Sequence, residues 1–106
     1  MFGHMLLHLG GDWAANSRRI VAILEYGTVA GSRSTKKMLQ LAEKQGLLER
    51  IDGEAETRSI ILMETARGTR LVLSPISATA LRGRLMSNAI MLDFSTNPAA
   101  YNRKGR

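Results

Sequence analysis

RSIILMETARGTRLVLSPIS, residues 58–77, is the stretch that decides the fold. Arg58-Ser59-Ile60-Ile61-Leu62-Met63 is short, apolar and partly β-branched, which reads as a strand. Glu64 to Thr69 carries Arg67-Gly68 and reads as a hairpin loop. Arg70-Leu71-Val72-Leu73-Ser74 then reads as the partner strand, ended by Pro75. Ser77 caps a helix running to about Met86. Ile76 before the cap and Leu81 at the fourth helical position form a hydrophobic staple. Gly83 weakens this helix by about 1 kcal/mol relative to alanine.

Upstream, Arg18-Arg19-Ile20-Val21-Ala22-Ile23-Leu24 has the composition of a buried strand. Gly27 to Ser34 reads as a loop. Ser34 is placed to cap a helix over about 34–46, in which Met38, Leu41 and Ala42, then Leu48, follow helical spacing and Leu39 broadens the stripe. Gly46 occupies the position of a left-handed cap, and Lys44 complements the dipole of the last turn. Met5 to Leu9 reads as a short strand, closed by the turn residues Gly10-Gly11-Asp12. Ile51 to Thr57 is polar and includes the turn dipeptide Asp52-Gly53. The expected fold is α+β: a small, mostly antiparallel sheet of four strands with two helices.

The chain has 106 residues, 44% of them apolar and 23% charged, which is one ordinary globular domain. It has no cysteine, which excludes disulfides, thiolate catalysis and cysteine-based zinc sites. No apolar run is long enough to span a membrane. The opening MFGHMLLHLGGD lacks the charged start and the apolar run of about 7–15 residues that mark a secretory signal. A cytoplasmic location is expected. Net charge is +6, so anionic partners are favoured. The charge is uneven: residues 1–37 and 67–106 are basic, while 38–66 hold six acids against three bases.

Few motifs carry chemistry. His4 and His8, four apart on a strand, stand ~13 Å from each other at ~3.3 Å per residue, which is no metal site. Ser34-Thr35-Lys36-Lys37 matches S-x-x-K without its companion motifs, and Gly31 to Lys37 lacks phosphate-loop spacing. Arg33, Lys36 and Lys37 nevertheless crowd a helix start, where free amides attract anions. No nucleophile–base set is present and five aromatics are scattered, with Trp13 just after the first turn. An enzyme, a cofactor, a small-molecule ligand and a base-stacking surface are therefore not expected. Contacts to a phosphate backbone are the favoured mode.

Taken in order, several short pieces form a pattern. They are Leu6-Leu7-His8-Leu9-Gly10 with Gly11-Asp12, Arg19-Ile20-Val21-Ala22-Ile23, Met38-Leu39 with Leu41-Ala42, Arg58-Ser59-Ile60-Ile61, and Leu73-Ser74-Pro75-Ile76-Ser77 with Leu81 and Arg84. This pattern resembles the RemA/RemB family of bacterial extracellular-matrix (biofilm) regulators. It is more similar to the RemB branch, through its His-Leu-Gly start and Leu-Ser-Pro-Ile-Ser segment. The likeness covers about Met5 to Met86. It leaves residues 1–4 as an N-terminal extension and 87–106 as a basic C-terminal tail, partly disordered or a helical extension.

The resemblance implies a cytoplasmic transcription regulator that binds double-stranded DNA as a ring-like homo-oligomer. In the RemA branch, arginines near the start of the second strand contact DNA, and Arg18 or Arg19 matches them here. An arginine pair before the third strand is absent, since Ala55 and Glu56 stand in its place. The expected contacts are Arg18, Arg19 and Arg58, then Arg33, Lys36 and Lys37. The alternative is an oligomeric protein-interaction module without DNA binding, suggested by the acidic middle and by Glu56.

Overall fold

The computed structural model describes residues 6–86. Strands β1 (Leu6–Gly10) and β2 (Trp13–Asn16) form an antiparallel hairpin closed at Gly10 to Asp12. One 3-10 turn, Ser17–Arg19, leads into β3 (Ile20–Glu25). A short helix α1 (Tyr26–Val29) precedes the main helix α2 (Arg33–Lys44). Strands β4 (Leu48–Arg50), β5 (Ser59–Thr65) and β6 (Gly68–Ser74) come next along the chain. Residues 78–86 form a further helix, α3.

The fold is α+β, but its strands divide into two sheets. The expected single sheet of four strands is corrected to a two-stranded sheet, β1-β2, and a four-stranded one, ordered β3-β5-β6-β4. Within the larger sheet β4 runs parallel to β6 and the other pairs are antiparallel. Two strands are additions to the sequence reading. β2 is made of Trp, two Ala and Asn, of which only Trp favours a strand, and pairing with β1 holds it extended. β4 has three residues, and its pairing with β6 fixes it.

Why β5 and β6 are continuously apolar is now plain. Successive side chains of a strand point to opposite faces, and both faces of this sheet are covered. Ile23, Ile61, Met63 and Val72 pack in one cluster with Leu7, Leu9 and Ala15 of the hairpin and with Ala78 and Leu81 of α3. Ile60, Leu71 and Leu73 pack in the other with Ala42 and Leu47, and with Met38 and Leu39 of α2. The molecule is three layers: hairpin and α3, sheet, then α1 and α2.

Two buried serines and one glutamate fasten the first layer to the sheet. The Ser74 hydroxyl donates to the Leu9 carbonyl at 2.6 Å and accepts from the Ile76 amide at 2.9 Å. The Ser59 hydroxyl donates to the Ile76 carbonyl at 2.7 Å. Gly10 closes against the same place: its φ is +123°, and a Cβ there would lie 3.2 Å from Pro75. The Glu25 carboxylate accepts from the Ala78 amide at 3.1 Å, at the N-terminus of α3. Removing it (Glu25→Ala) leaves that amide without its anionic cap and lowers stability by about 1 kcal/mol. A urea unfolding curve measures the shift, and an unchanged midpoint would show the cap to be idle.

Some boundaries differ from the sequence reading. The helix expected over 34–46 spans Arg33–Lys44, because Ser32 and not Ser34 is the cap: its hydroxyl accepts from the Thr35 amide at 3.3 Å. Residues 26–29, expected in a loop or just before it, form α1. Arg18 and Arg19 stand before β3, not in it. Trp13 is half-buried against the first cluster. Gly46 is left-handed as expected, with φ +72°, and Ser77 caps the last helix by accepting from Ala80. His4, the extension 1–4 and the tail 87–106 lie outside the described residues.

Candidate nucleic-acid interface

The local folding of the 3-10 turn sets the first cations. The Asn16 side chain accepts from the Arg18 amide at 2.9 Å and caps the turn, so Arg18 and Arg19 leave the chain side by side where β3 begins. Both are exposed. Arg19 Nη1 donates to the Glu64 carbonyl at 3.4 Å, while the Arg18 guanidinium has no partner among the described residues. Ile20 lies opposite Met63, so these arginines stand at the end of the sheet where the β5–β6 turn lies.

Arg58 stands at the other end. It precedes β5, about six residues from the position of Arg19, or ~20 Å at ~3.3 Å per residue. Its backbone is fixed on both sides: its amide donates to Ser74 and its carbonyl accepts from Tyr26. The side chain is exposed and has no partner among the described residues. Helix α2 connects the two ends. Arg67 in the β5–β6 turn donates to the Gln45 carbonyl at 3.3 Å, which pins the C-terminus of α2 near that turn. Twelve residues at ~1.5 Å each then carry the N-terminus, with Arg33, Lys36 and Lys37, ~18 Å back toward Arg58.

The six candidate residues thus form two groups. Arg18 and Arg19 share one end, joined by Arg67, which the sequence reading did not single out. Its signal was its position in the hairpin loop, which puts a cation at the tip. Arg58, Arg33, Lys36 and Lys37 belong to the other end. There the loop holding Asp52, Glu54 and Glu56 leads into Arg58, and Glu54 is fixed by an Asx turn in which its amide donates to the Asp52 carboxylate at 3.0 Å. Ala55 is half-buried and Glu56 exposed.

Other basic residues are used internally. Arg82 donates to the Ile23 carbonyl on the outer side of β3, and Arg84 donates to the His8 carbonyl of β1 at 3.1 Å. Together they tie α3 to both sheets. Arg70 lies 3.9 Å from Glu49. His8 is exposed and its Nε2 donates to the Gly11 carbonyl at 2.7 Å. No group of three or more His, Asp or Glu side chains is gathered for a metal among the described residues. No helix there is long and apolar enough to cross a membrane.

Such a domain is a small α+β unit whose central sheet has exposed cations near both ends. The family is then plain. The model of the RemA-like family, described as extracellular matrix regulatory protein A-like, matches residues 6–85, and the chain belongs to that family. This is a regulatory family and not a known enzyme family. No curated protein matches the chain.

Proposed function

We propose that this chain is a cytoplasmic transcription regulator of extracellular-matrix (biofilm) genes, of the RemB branch, which binds double-stranded DNA as a ring-like homo-oligomer. The observation that carries this reading is the capped 3-10 turn. It presents Arg18 and Arg19 together, exposed, with the Arg18 guanidinium unpaired among the described residues. Membership in a matrix-regulator family supports the biological setting. The proposed regulator domain is residues 5–86, of which 6–86 are described.

Repetition is the mechanism. A pair of arginines per subunit neutralises few phosphates, and a ring that presents many such pairs multiplies them through effective concentration. Contacts of this kind discriminate little between bases, so sequence preference comes from duplex shape and bending. The outer edges of β2 and β4 have no neighbouring strand among the described residues, and contacts between subunits are one way to cover such edges.

The test is a titration of a generic duplex at two salt concentrations, with solution mass from light scattering. Affinity should fall steeply with salt, by a logarithmic slope of about −0.9 per phosphate neutralised, and the mass should be a multiple of the chain. A strict monomer at high concentration overturns the ring. A second reading, a protein-interaction module, draws on Glu56 in place of an arginine and on the exposed apolar side chain of Leu41. Salt-independent or absent duplex binding would favour it.

A further inference from the structure

One buried side-chain donor lacks an acceptor among the described residues: the Nε–H of Arg70, in β6. Burial of the aliphatic stem is ordinary for arginine. A bare buried N–H on a charged group is not. The ion pair that Arg70 makes is loose. Glu49 Oε1 lies 3.9 Å from Nη1, beyond hydrogen-bond length. Both side chains are partly exposed, at 32% for Arg70 and 43% for Glu49, and such a pair holds neither partner firmly.

The strand register places Arg70 at the end of the sheet that carries Arg18 and Arg19. Ile20 lies opposite Met63 and Met63 lies opposite Arg70, so the three form one row across β3, β5 and β6. Two strand spacings, ~10 Å, separate Arg70 from Ile20, which directly follows Arg18 and Arg19 in the chain. The face is shared as well. Ile20, Met63 and Val72 pack toward the β1-β2 hairpin. Residues two apart on a strand point the same way, so Arg70 projects to that side with Val72. The 3-10 turn runs from the hairpin at Asn16 to the sheet at Ile20, on the same side and at the same end. Glu64, one residue past Met63, turns to the opposite face and accepts from the Thr69 hydroxyl there.

We propose that Arg70 is a third phosphate-binding arginine, which leaves Glu49 and turns out onto a phosphate next to those bound by Arg18 and Arg19. This rests on the reading of Arg18 and Arg19 as duplex contacts. A phosphate supplies the acceptor that the Nε–H lacks, and a guanidinium takes two phosphate oxygens through parallel bonds. Glu49 is then the resting counter-ion. Its carboxylate competes with the phosphate for Arg70 and repels it.

The test is fluorescence anisotropy of a generic duplex with the full chain at several salt concentrations. Wild type is compared with Arg70→Gln, Arg70→Lys, Glu49→Gln and Arg18→Ala/Arg19→Ala, and circular dichroism melts verify each fold. Arg70→Gln should weaken binding about tenfold and reduce the logarithmic salt slope by ~0.9 per engaged subunit. Arg70→Lys should recover only part of the loss, because lysine keeps the charge without the paired donors. Glu49→Gln should tighten binding by up to about fivefold, the reach of one surface charge. Wild-type affinity in Arg70→Gln, beside a loss in Arg18→Ala/Arg19→Ala, overturns the part given to Arg70 and leaves the duplex reading standing. Absence of duplex binding by the wild-type chain overturns both. Wild-type affinity in Arg70→Lys reduces the residue to a bare charge and overturns the paired contact. If Arg70→Gln does not fold, Glu49→Gln decides alone: tighter binding upholds the proposal, and unchanged or weaker binding overturns it.

Discussion

Replacing Ser74 with alanine should lower the stability of this domain by about 2–4 kcal/mol. The hydroxyl is fully buried and makes two bonds, donating to the Leu9 carbonyl and accepting from the Ile76 amide. Alanine fits the space and leaves both backbone groups unmatched. Each buried group orphaned in this way costs about 1–3 kcal/mol. Leu9 itself is buried at the centre of the first cluster, so water reaches its carbonyl only if the hairpin lifts from the sheet. The variant's melting temperature should fall by roughly 10–25 °C, at about 4–8 °C per kcal/mol for a chain of this size. Differential scanning calorimetry measures it. A loss below about 3 °C would mean that the hairpin layer is not fastened through this serine.

The same serine shows what a linear reading reaches. The segment Leu73 to Ser77 was legible as strand, stop and cap, because Pro75 removes an amide and Ser77 sits between the staple residues Ile76 and Leu81. That Ser74 would bind Leu9, 65 positions away, is a tertiary fact with no local signal. The same division holds for the sheets. β5 and β6 were legible because burial on two faces leaves an apolar run. β2 and β4 were not, since Ala14 and Ala15 or Leu48-Glu49-Arg50 take their extended form from a neighbour. The stripe Met38, Leu41, Ala42 located α2, but Ser32 and Ser34 are both competent caps. The start was settled by α1, whose Tyr26 amide is held by Arg58.

Of the candidate site, the sequence showed which residues are basic but not which remain available. Arg82 and Arg84 look no different in sequence from Arg18 and Arg19. The structure consumes the first two on carbonyls of β3 and β1 and leaves Arg18 unpaired among the described residues. Spacing along the chain also misleads: Arg58 comes after an acidic loop and stands a sheet's length from Arg19. Net charge is thus a weak guide here, and each cation has to be judged by its own partners.

The arginines left available before β3 carry the prediction with the largest functional effect. Arg18→Ala/Arg19→Ala should reduce duplex affinity at least about tenfold near 0.1 M salt, since a hydrogen bond to a charged group contributes about 1.5–3 kcal/mol. The logarithmic salt slope should shrink by about 2 per engaged subunit, at ~0.9 for each phosphate no longer neutralised. The fold should persist, because both side chains are exposed and the turn is capped by Asn16 through the backbone of Arg18. Among the described residues, only the bond from Arg19 to the Glu64 carbonyl is lost, in a setting open to water. Arg33→Ala/Lys36→Ala/Lys37→Ala is the comparison at the opposite end. Those cations are also exposed, but the loop with Asp52, Glu54 and Glu56 leads into that end and repels phosphate, so a smaller loss is expected there. Fluorescence anisotropy on one duplex at several salt concentrations reads both variants. If the double variant keeps the wild-type affinity and slope while the triple variant loses binding, the duplex lies against the start of α2 and the arginines before β3 have another task.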